Sequence, residues 1–386
     1  MTDPIRIALL GCTGSIGLST LEVVRRHPHR FRVVAMSANR RVEALAKLVA
    51  EFRPSHVALA DAQLNLPDVA DGWMRGSEAV ADLARLDDVD VVVNAVMGAA
   101  GLMPTLAALE EGKRVALANK ESLVAGGDLV LEVAERAGGE IVPIDSEHSA
   151  ILQCLAGCDR ATVRRIVLTA SGGPFRGRSA DDLVDVRPAE ALKHPTWDMG
   201  AKITIDSATL ANKALEVIEA HVLYGIDYDR IDAVVHPQSI VHSFVEFVDG
   251  SLLAQVGEPT MELPIMYALT WPDRLEDSRL QGWDPVASSP LTFEPIDHAA
   301  FPMFGVGVDA GRRGGVATTA FNAANEVAVA AYLDERIRFP DMADVVAGAI
   351  TAVGSGVPTS IDDVMRADGQ ARSVATEAVS SIAQQR

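Results

Sequence analysis

Hydrophobic residues in the first 145 positions alternate between short continuous runs and segments with helical spacing. The runs are rich in Val, Ile and Leu, and they have the length of strands that are buried on both faces. They read IRIALL, FRVVAM, VDVVVNAV, RVALAN and EIVPI. Strands that alternate with helices predict a doubly wound, Rossmann-like α/β domain built on a parallel sheet.

The pattern changes after about residue 150. Up to residue 273 strands and helices are mixed, and SIVHSFVEF alternates like a half-solvated antiparallel strand, which predicts an α+β domain. Residues 272 to 302 contain five prolines with little periodicity, which predicts an extended connector without helix or sheet pairing. The final segments, such as GGVATTAFNAANEVAVAAYL, have helical spacing and predict a C-terminal helical bundle. The predicted boundaries are 1–146, 147–273, 274–300 and 301–386.

Composition narrows the class of protein. With 386 residues, 48% of them hydrophobic, the chain exceeds one ordinary core. A net charge of −19 disfavours binding to nucleic acid or to anionic membranes. No apolar run approaches the roughly 20 residues of a membrane span, and a first strand at Ile5 leaves no room for a signal peptide. With three cysteines, of which Cys154 and Cys158 are predicted core neighbours, the chain is expected to be cytoplasmic.

A glycine-rich turn follows the first predicted strand. In LLGCTGSIGLSTLEVV, Gly11, Gly14 and Gly17 separate this strand from an amphipathic helix, and Thr13 and Ser15 add hydroxyl donors. Such a turn can hold a dinucleotide pyrophosphate on the amides at the helix N-terminus. The spacing departs from G-x-G-x-x-G, and a tight βα turn without a ligand is the plainer alternative.

Basic residues follow the second predicted strand. An acid at this place would bond the adenosine ribose of NAD, but the sequence SANRR has Asn39, Arg40 and Arg41 instead. We therefore predict NADP rather than NAD. A solvated basic turn is the alternative interpretation.

Charged residues also follow the last strand of the predicted parallel sheet. Asp145, Glu147 and His148 come just after Ile144 in VPIDSEHSAI, and ligands of such sheets gather outside the carboxyl ends of the strands. If the extended backbone continues, Asp145 and Glu147 project to the same side, as hard oxygen ligands of Mg²⁺ or Mn²⁺ require. Two carboxylates rarely complete a site, so a further acid is expected.

A further acid occurs in DSATLANKALEVIEAH, where Asp206 or Ser207 is predicted to cap a helix. The spacing places Asn212, Lys213 and Glu216 on one helical face. This face could bind a phosphate with Ser207, Asn212 and Lys213 and a metal with Glu216. A surface helix with a solvated Lys–Glu pair is the alternative.

Two further stretches contain histidines. KHPTWDMGAK carries His194, Trp197 and Met199 between Pro and Gly, and we predict a lid that closes on a ligand and expels water. Alternatively, Trp197 anchors a rigid loop. HPQSIVHSFVEF adds His236 and His242.

Six motifs together resemble one enzyme family, in their order and their spacing. They are GCTGSIG, ANKESLV, PIDSEHSAI, TASGGPF, HPTWDMGAKITIDSATLANKALEVIEA and HPQSIVHS. They closely resemble 1-deoxy-D-xylulose 5-phosphate reductoisomerases, and the resemblance covers essentially the whole chain.

The resemblance implies a homodimeric enzyme of non-mevalonate isoprenoid biosynthesis. Such an enzyme rearranges the small phosphorylated sugar 1-deoxy-D-xylulose 5-phosphate, by a favoured retro-aldol and aldol route, and reduces the product to 2-C-methyl-D-erythritol 4-phosphate. NADPH and Mn²⁺ or Mg²⁺, with Co²⁺ as an alternative, are the implied cofactors. Residues 1–146 would bind NADPH, and residues 147–273 would bind the metal and the substrate.

The resemblance also assigns roles to residues. The implied metal ligands are Asp145, Glu147 and Glu216. The implied substrate-binding residues are Lys120, Ser146, Glu147, Ser171, His194, Ser207, Asn212, Lys213 and Glu216. The implied NADPH-binding residues are Thr13, Gly14, Ser15, Ile16, Asn39, Arg40, Arg41, Asn119, Glu121 and Gly200, with Met261 as a weaker candidate. The catalytic candidates are Lys120, Glu147, His148 and His194, of which Lys120 is assigned to the substrate and His148 to support; Trp197 and Met199 form the lid.

Two other functions stay open on the residues alone. A semialdehyde-type NADP-dependent dehydrogenase has a similar first loop, but it needs a cysteine nucleophile with a nearby base, and Cys154 and Cys158 lie away from any predicted loop. A non-enzymatic NADP-sensing protein would share the glycine loop but would not need three acids and a phosphate pocket. Dependence of activity on a divalent metal would separate the two classes.

Overall fold

The computed structural model describes residues 3–64, 70, 72–280 and 282–385. Within these residues the strands are β1 (Ile5–Leu10), β2 (Phe31–Ala38), β3 (His56–Leu59), β4 (Met74–Arg75), β5 (Val91–Asn94), β6 (Arg114–Leu117), β7 (Glu140–Pro143), β8 (Val163–Ala170), β9 (Ile231–Val235), β10 (Val241–Phe247), β11 (Leu252–Val256) and β12 (Glu294–Pro295). The helices are α1 (Ser15–Arg26), α2 (Val42–Phe52), α3 (Ser77–Arg85), α4 (Leu102–Glu110), α5 (Lys120–Ala137), α6 (Ser146–Leu155), α7 (Pro188–Ala191), α8 (Ala201–Thr209), α9 (Ala211–Tyr224), α10 (Glu262–Thr270), α11 (Pro302–Arg313), α12 (Val316–Leu333), α13 (Asp341–Val353) and α14 (Ile361–Gln384).

The described chain divides into two compact units. The first contains residues up to 122, together with 130–149 and the segment that begins at residue 260 and ends at 280. The second contains residues 123–129, 150–259 and 282 onward. The predicted boundary at 146 thus lies three residues from the point where the chain leaves the first unit.

A parallel sheet forms the centre of the first unit. Among the described residues it has seven strands in the order β4-β3-β2-β1-β5-β6-β7, and every neighbouring pair is parallel. The predicted doubly wound domain is therefore confirmed, and each of its five predicted strands is present. β3 and β4 are additional strands. Because all strands run in one direction, the loops that follow them meet at the carboxyl edge of the sheet.

Residues 260–280 belong to the first unit, although 260–273 were predicted to lie in the second domain and the rest in a linker. The physical reason is packing: α10 contacts α1, β6 and β7. Arg26 at the end of α1 forms ion pairs with Glu262 and Asp277, at 2.7 Å each. The indole N–H of Trp271 donates to Glu140 at 2.8 Å.

The second unit contains a mixed sheet in the order β11-β10-β8-β9-β12. The predicted antiparallel strand is present as β10, which pairs antiparallel with β8 and β11, while β8 and β9 are parallel. The proline-rich connector was predicted to form no sheet pairing, but it provides β12 at the edge beside β9. An edge strand tolerates Pro295 because one of its sides makes no ladder hydrogen bonds.

The C-terminal helices α11 to α14 confirm the predicted helical bundle. They do not form a compact unit of their own, because their apolar faces share one core with the α+β region. Phe321 and Tyr332 of α12 lie in this core together with Ile166 of β8. Cys154 is in the same core and Cys158 packs against it, as predicted. Among the described residues, no helix combines the length and the apolar character needed to cross a membrane.

Candidate functional site

The glycine turn after β1 uses its three glycines in three different ways. Gly11 has a φ of +83°, and an added Cβ would lie 2.5 Å from the carbonyl oxygen of Ala95. A Cβ on Gly17 would lie 2.5 Å from the carbonyl oxygen of Gly11, so this glycine lets α1 approach the turn. Gly14 is exposed, and an added Cβ there would make ordinary contact, 3.4 Å from the carbonyl oxygen of Gly11. Room beside a helix N-terminus is what a dinucleotide phosphate needs.

The basic residues after β2 lie at the same edge of the first sheet. Arg41 donates a hydrogen bond to the carbonyl oxygen of Thr13 at 3.1 Å, so it reaches the glycine turn. Arg40 is exposed and pairs with Asp61 at 2.9 Å. Asn39 is exposed, and Ser15 and Ile16 begin α1. The structure thus brings Arg41 to the glycine turn, and the other predicted cofactor residues of these two loops lie at the same edge of the sheet.

The start of α5 carries three of the predicted residues side by side. Asn119 caps the helix, because its side chain accepts a hydrogen bond from the Ser122 backbone N–H. Lys120 and Glu121 are 5% and 8% exposed. Lys120 forms an ion pair with Asp145. This pair joins the loops that follow β6 and β7, which are neighbours in the sheet.

The acidic stretch after β7 differs from the predicted extended backbone. α6 begins at Ser146, so Glu147 lies in the first helical turn and Asp145 directly precedes it. The Ser149 N–H bonds to the carbonyl oxygen of Asp145 at 2.8 Å, which closes that turn. The Ser146 hydroxyl donates to Glu147. Negative charge is favourable at a helix N-terminus, which explains why the helix starts here. His148 is fully buried.

In the second unit, Ser171 and His194 form a hydrogen-bonded pair. Nδ1 of His194 accepts from the backbone N–H groups of Thr196 and Trp197 at 3.1 and 2.9 Å, so the proton of a neutral imidazole is on Nε2. Nε2 therefore donates to Ser171 Oγ at 3.0 Å, and the Gly173 N–H donates to the same oxygen at 3.2 Å. Burial lowers the pKa of His194, which favours this neutral form. The hydroxyl hydrogen of Ser171 is then available for an anion.

The predicted lid lies between α7 and α8. Trp197 and Met199 are half-buried, and the stretch around them forms neither helix nor strand. Its two backbone bonds to His194 tie the first part of the stretch to the Ser171 pair. Gly200 is exposed and caps α8. Closure of this stretch on a ligand stays a prediction.

The predicted helix cap at Asp206 or Ser207 is wrong. Both residues lie inside α8, and the chain breaks instead at Leu210, whose φ is +61°, before α9 begins at Ala211. The Asp206 carboxylate, 1% exposed, accepts from Asn325 at 2.7 Å and pairs with Lys202 at 3.0 Å. The Asp206 carboxylate therefore bonds to these two side chains and does not cap a helix.

The predicted face of α9 is present. The Asn212 amide and the Lys213 ammonium both donate to the Glu216 carboxylate. Lys213 is 3% and Glu216 1% exposed, so this is not a solvated surface pair. A buried cluster that combines an amide, an ammonium and a carboxylate suits a bound anion or cation. Glu216 belongs to the second unit, whereas Asp145 and Glu147 belong to the first.

Two buried acidic residues, Glu219 and Asp206, and the buried environment of His242 were not predicted from the sequence as parts of a site. Glu219 of α9 is fully buried, and its spacing of three from Glu216 could have revealed it. Asp206 was noticed only as a cap. His242 is 6% exposed, and burial lowers its pKa to about 4. The nearby His236 and Lys213 lower this pKa further, whereas backbone hydrogen bonds raise it slightly. His242 is therefore neutral near pH 7. His236 is buried and bonds to the carbonyl oxygen of Thr292 at 2.8 Å.

The sequence matches three family models that follow each other along the chain. They describe 1-deoxy-D-xylulose 5-phosphate reductoisomerase at residues 7–127, its C-terminal domain at 141–224, and the DXP reductoisomerase C-terminal domain at 256–374. Relatives with this enzyme name include those of Rhodococcus jostii strain RHA1, 51% identical over 97% of this chain and 94% of the relative, and Xanthomonas axonopodis pv. citri strain 306, 49% identical over 98% of each.

Solved structures agree with these matches. The reductoisomerase of Zymomonas mobilis in complex with NADPH has a TM-score of 0.90 and is 40% identical, covering 97% of this chain and 99% of its own. A DOX-P reductoisomerase in complex with NADPH, fosmidomycin and magnesium has a TM-score of 0.91 at 38% identity, covering 97% of this chain and 98% of its own. The protein therefore belongs to the 1-deoxy-D-xylulose 5-phosphate reductoisomerase family.

Proposed function

We propose that the protein converts 1-deoxy-D-xylulose 5-phosphate into 2-C-methyl-D-erythritol 4-phosphate, an isoprenoid precursor, with NADPH and a divalent cation. Family membership over nearly the whole chain is the observation that carries this proposal. The relatives' structures with NADPH, fosmidomycin and magnesium support the cofactors.

NADPH fits the carboxyl edge of the first sheet. Exposed Gly14 at the N-terminus of α1 suits a pyrophosphate, and exposed Arg40 and Arg41 suit the additional 2′-phosphate. When bound, NADPH supplies the hydride that reduces the aldehyde. We propose that its site is formed by Thr13, Gly14, Ser15, Ile16, Asn39, Arg40, Arg41, Asn119, Glu121 and Gly200, with Met261 as a weaker candidate.

A divalent cation fits the chemistry of the acidic residues. We propose that Asp145, Glu147 and Glu216 hold Mn²⁺ or Mg²⁺, with Co²⁺ as an alternative, because carboxylate oxygens are the ligands these hard cations prefer. The cation supplies positive charge where oxygen anions develop during the rearrangement. Lys120 beside Asp145, and Lys213 beside Glu216, balance the acidic charge in each unit.

We propose that the sugar phosphate binds to hydrogen-bond donors of the second unit and to residues of the first unit that follow β6 and β7. Ser171 can donate its hydroxyl hydrogen to the phosphate, since its oxygen already accepts from His194 and Gly173. Lys213 adds positive charge. The remaining proposed substrate contacts are Lys120, Ser146, Glu147, His194, Ser207, Asn212 and Glu216.

Proton transfer is assigned to groups of the first unit. Lys120 holds a proton on Nζ beside Asp145, and Glu147 can accept one. His194 is a hydrogen-bond donor rather than a base, because both backbone N–H contacts occupy its Nδ1. His148, fully buried, supports the first turn of α6. Trp197 and Met199 would exclude water when the lid closes.

The assembly is proposed to be a homodimer. β11 is an edge strand, and its Leu252 and Leu253 are 53% and 45% exposed. An apolar edge strand is a template for pairing with another chain. Light scattering should give the mass of a dimer for the wild type and a smaller mass for Leu253→Lys; a monomeric wild type would contradict the proposal.

The cysteines bear on the rival enzyme class and on location. Burial raises the pKa of Cys12 to about 12 and that of Cys154 to about 11, so neither is a thiolate nucleophile near neutral pH. Cys158 is partly buried against the same core, and its Sγ donates to the carbonyl oxygen of Cys154 at 3.7 Å. A semialdehyde-type dehydrogenase is therefore disfavoured. All three cysteines are free, which suits the cytoplasmic location we propose. Recovery of the protein mainly in the soluble cytoplasmic fraction of cells would be the expected result.

The function is tested by following NADPH absorbance after adding 1-deoxy-D-xylulose 5-phosphate and Mn²⁺. We expect oxidation that a chelator abolishes and that Glu216→Gln reduces by at least about a hundredfold. Glu377→Gln, which changes an exposed carboxylate of α14, is the control and should keep wild-type rates. Binding of NADPH without turnover in the wild type would favour the NADP-sensing alternative.

A further inference from the structure

The side-chain amide of Asn119 makes all of its hydrogen bonds to other groups of the protein. Its Oδ1 accepts from the Ser122 N–H at 3.1 Å and from the Ser122 hydroxyl. Its Nδ2 lies 2.8 Å from the carbonyl oxygens of Val96 and Gly98, and 3.1 Å from a carboxylate oxygen of Glu121. A primary amide has two N–H donors and two oxygen lone pairs. Asn119, 1% exposed, therefore has no remaining donor or acceptor for a ligand.

A second set of buried residues extends these bonds. Asn94, at the end of β5, donates to the Gly101 carbonyl oxygen and to Thr105 Oγ1, at 2.8 Å each, and accepts from the Val96 N–H at 3.1 Å. Thr105 Oγ1 lies 3.1 Å from Ser122 Oγ. Asn94, Thr105 and Ser122 are fully buried. A continuous chain of bonds thus joins the loop after β5 to the loop after β6.

Gly101 gives independent support. Its φ of −77° and ψ of −14° are helical values that any residue adopts, so the backbone does not require glycine here. An added Cβ would instead lie 2.3 Å from Oδ1 and 2.4 Å from Cγ of Asn119. Glycine is needed at this position because the Asn119 side chain occupies the space.

We propose that Asn119 is a positioning residue for NADPH, which fixes the loop at residues 95–101 and the first turn of α5 rather than contacting the cofactor with its side chain. Asn94, Gly101, Thr105 and Ser122 act through it. The inference rests on the proposed function, in which this edge of the sheet binds NADPH. Loops at this edge form the walls of such sites, and their displacement by about 1 Å can cost two orders of magnitude in rate.

Three variants leave Asn119 in the chain and disturb its placement: Gly101→Ala, Thr105→Val and Ser122→Ala. Thr105→Ser keeps the hydroxyl and is the conservative counterpart. Thr270→Val is the control, because it removes a buried hydroxyl of the first unit that bonds to the carbonyl oxygens of Met266 and Asp273 at 3.0 and 2.9 Å. NADPH binding is measured by fluorescence titration, KM by turnover, and Tm by circular dichroism.

We expect the three variants to raise the Kd and KM for NADPH by at least about tenfold, while the KM for the sugar phosphate changes by less than about threefold. Thr105→Ser should restore most of the affinity. Thr270→Val should lower Tm and leave the Kd unchanged.

Two results would overturn the inference. If Asn119→Ala weakens NADPH binding while the three variants bind like the wild type, the side chain contacts the cofactor directly. If Thr270→Val raises the Kd as much as they do at equal loss of Tm, the role is general stability. A wild type that binds NADPH but does not turn over the sugar phosphate would refute the proposed function, and the Kd values would still decide on Asn119.

Discussion

Replacement of Asp277 by Asn removes the centre of the ion cluster that holds residues 260–280 in the first unit. The side chain of Asp277 is 2% exposed and lies 2.7 Å from Nε of Arg26 and 2.9 Å from Nε2 of His27. Arg26 also pairs with Glu262 in the first turn of α10. The cluster therefore fixes this returning segment, at both of its ends, to the end of α1.

The pKa of Asp277 indicates how much its carboxylate stabilises the folded protein. Burial alone would raise it, but hydrogen bonds from the Arg279 backbone N–H, His27 and Arg26 outweigh burial and lower the pKa from 3.8 to about 2. A carboxyl whose pKa is lowered by folding adds stability above its unfolded pKa and loses it as the pH falls through the folded pKa. The change from 3.8 to about 2 corresponds to roughly 2 kcal/mol near neutral pH.

We therefore expect Asp277→Asn to lower the free energy of unfolding of the first unit by about 2 kcal/mol near neutral pH. The difference from the wild type should shrink between about pH 4 and about pH 2, where the wild-type carboxyl takes up its proton. Urea denaturation followed by tryptophan fluorescence, to which Trp271 of the same segment contributes, measures this difference. Glu276→Gln changes an exposed neighbour and should cost less than about 0.5 kcal/mol. Equal losses in both variants, or a difference that persists unchanged to about pH 2, would refute the reasoning.

Three further substitutions have defined outcomes. Arg40→Glu should raise the KM for NADPH by about tenfold and leave that for NADH nearly unchanged, because the new carboxylate repels the 2′-phosphate; equal changes for both cofactors would contradict the assignment. Lys213→Met leaves the carboxylate of Glu216 buried with one cationic partner fewer, so Tm should fall and the KM for the sugar phosphate should rise; turnover kinetics and thermal melting measure both. Gly17→Ala places a Cβ 2.5 Å from the glycine-turn backbone, so α1 must move, and titration should show weaker NADPH binding together with a loss of about 2 kcal/mol in urea; wild-type behaviour would contradict the close packing.

The strands that sequence patterns revealed are those buried on both faces. β1, β2, β5, β6 and β7 form continuous apolar runs, and consecutive residues along each of them are buried. β4 has two exposed residues, and β3 only four in all, so neither gives a pattern long enough to detect. α11 lies in the predicted helical region, but its own sequence gave no helical pattern, since its glycines lower helix propensity. One of them, Gly307, is needed for packing, because a Cβ there would meet Phe321 and Ala214.

The face of α9 could be predicted because it depends on local spacing alone. Asn212, Lys213 and Glu216 lie within five residues, and the helical repeat brings them together wherever the helix is placed. The break at Leu210 has no such local signal. The helix that ends there, α8, carries Asp206, whose carboxylate accepts from Asn325, 119 residues later in the chain. A partner at that distance is set by tertiary packing, so no window of sequence around Asp206 reveals it.

The requirement for a glycine can likewise be predicted from sequence only where the atoms that exclude a side chain are nearby in the chain. Gly17 could be assigned from the turn itself, because the groups that exclude a side chain there are the backbone of residues 11 and 12, and the strand-turn-helix order is visible in sequence. Gly101 has ordinary helical dihedral angles and no motif around it, and the atom that excludes a side chain belongs to Asn119 on another loop. Since that side chain is itself fixed by Ser122 and Thr105, the requirement for glycine at position 101 follows from the network and not from the chain near it.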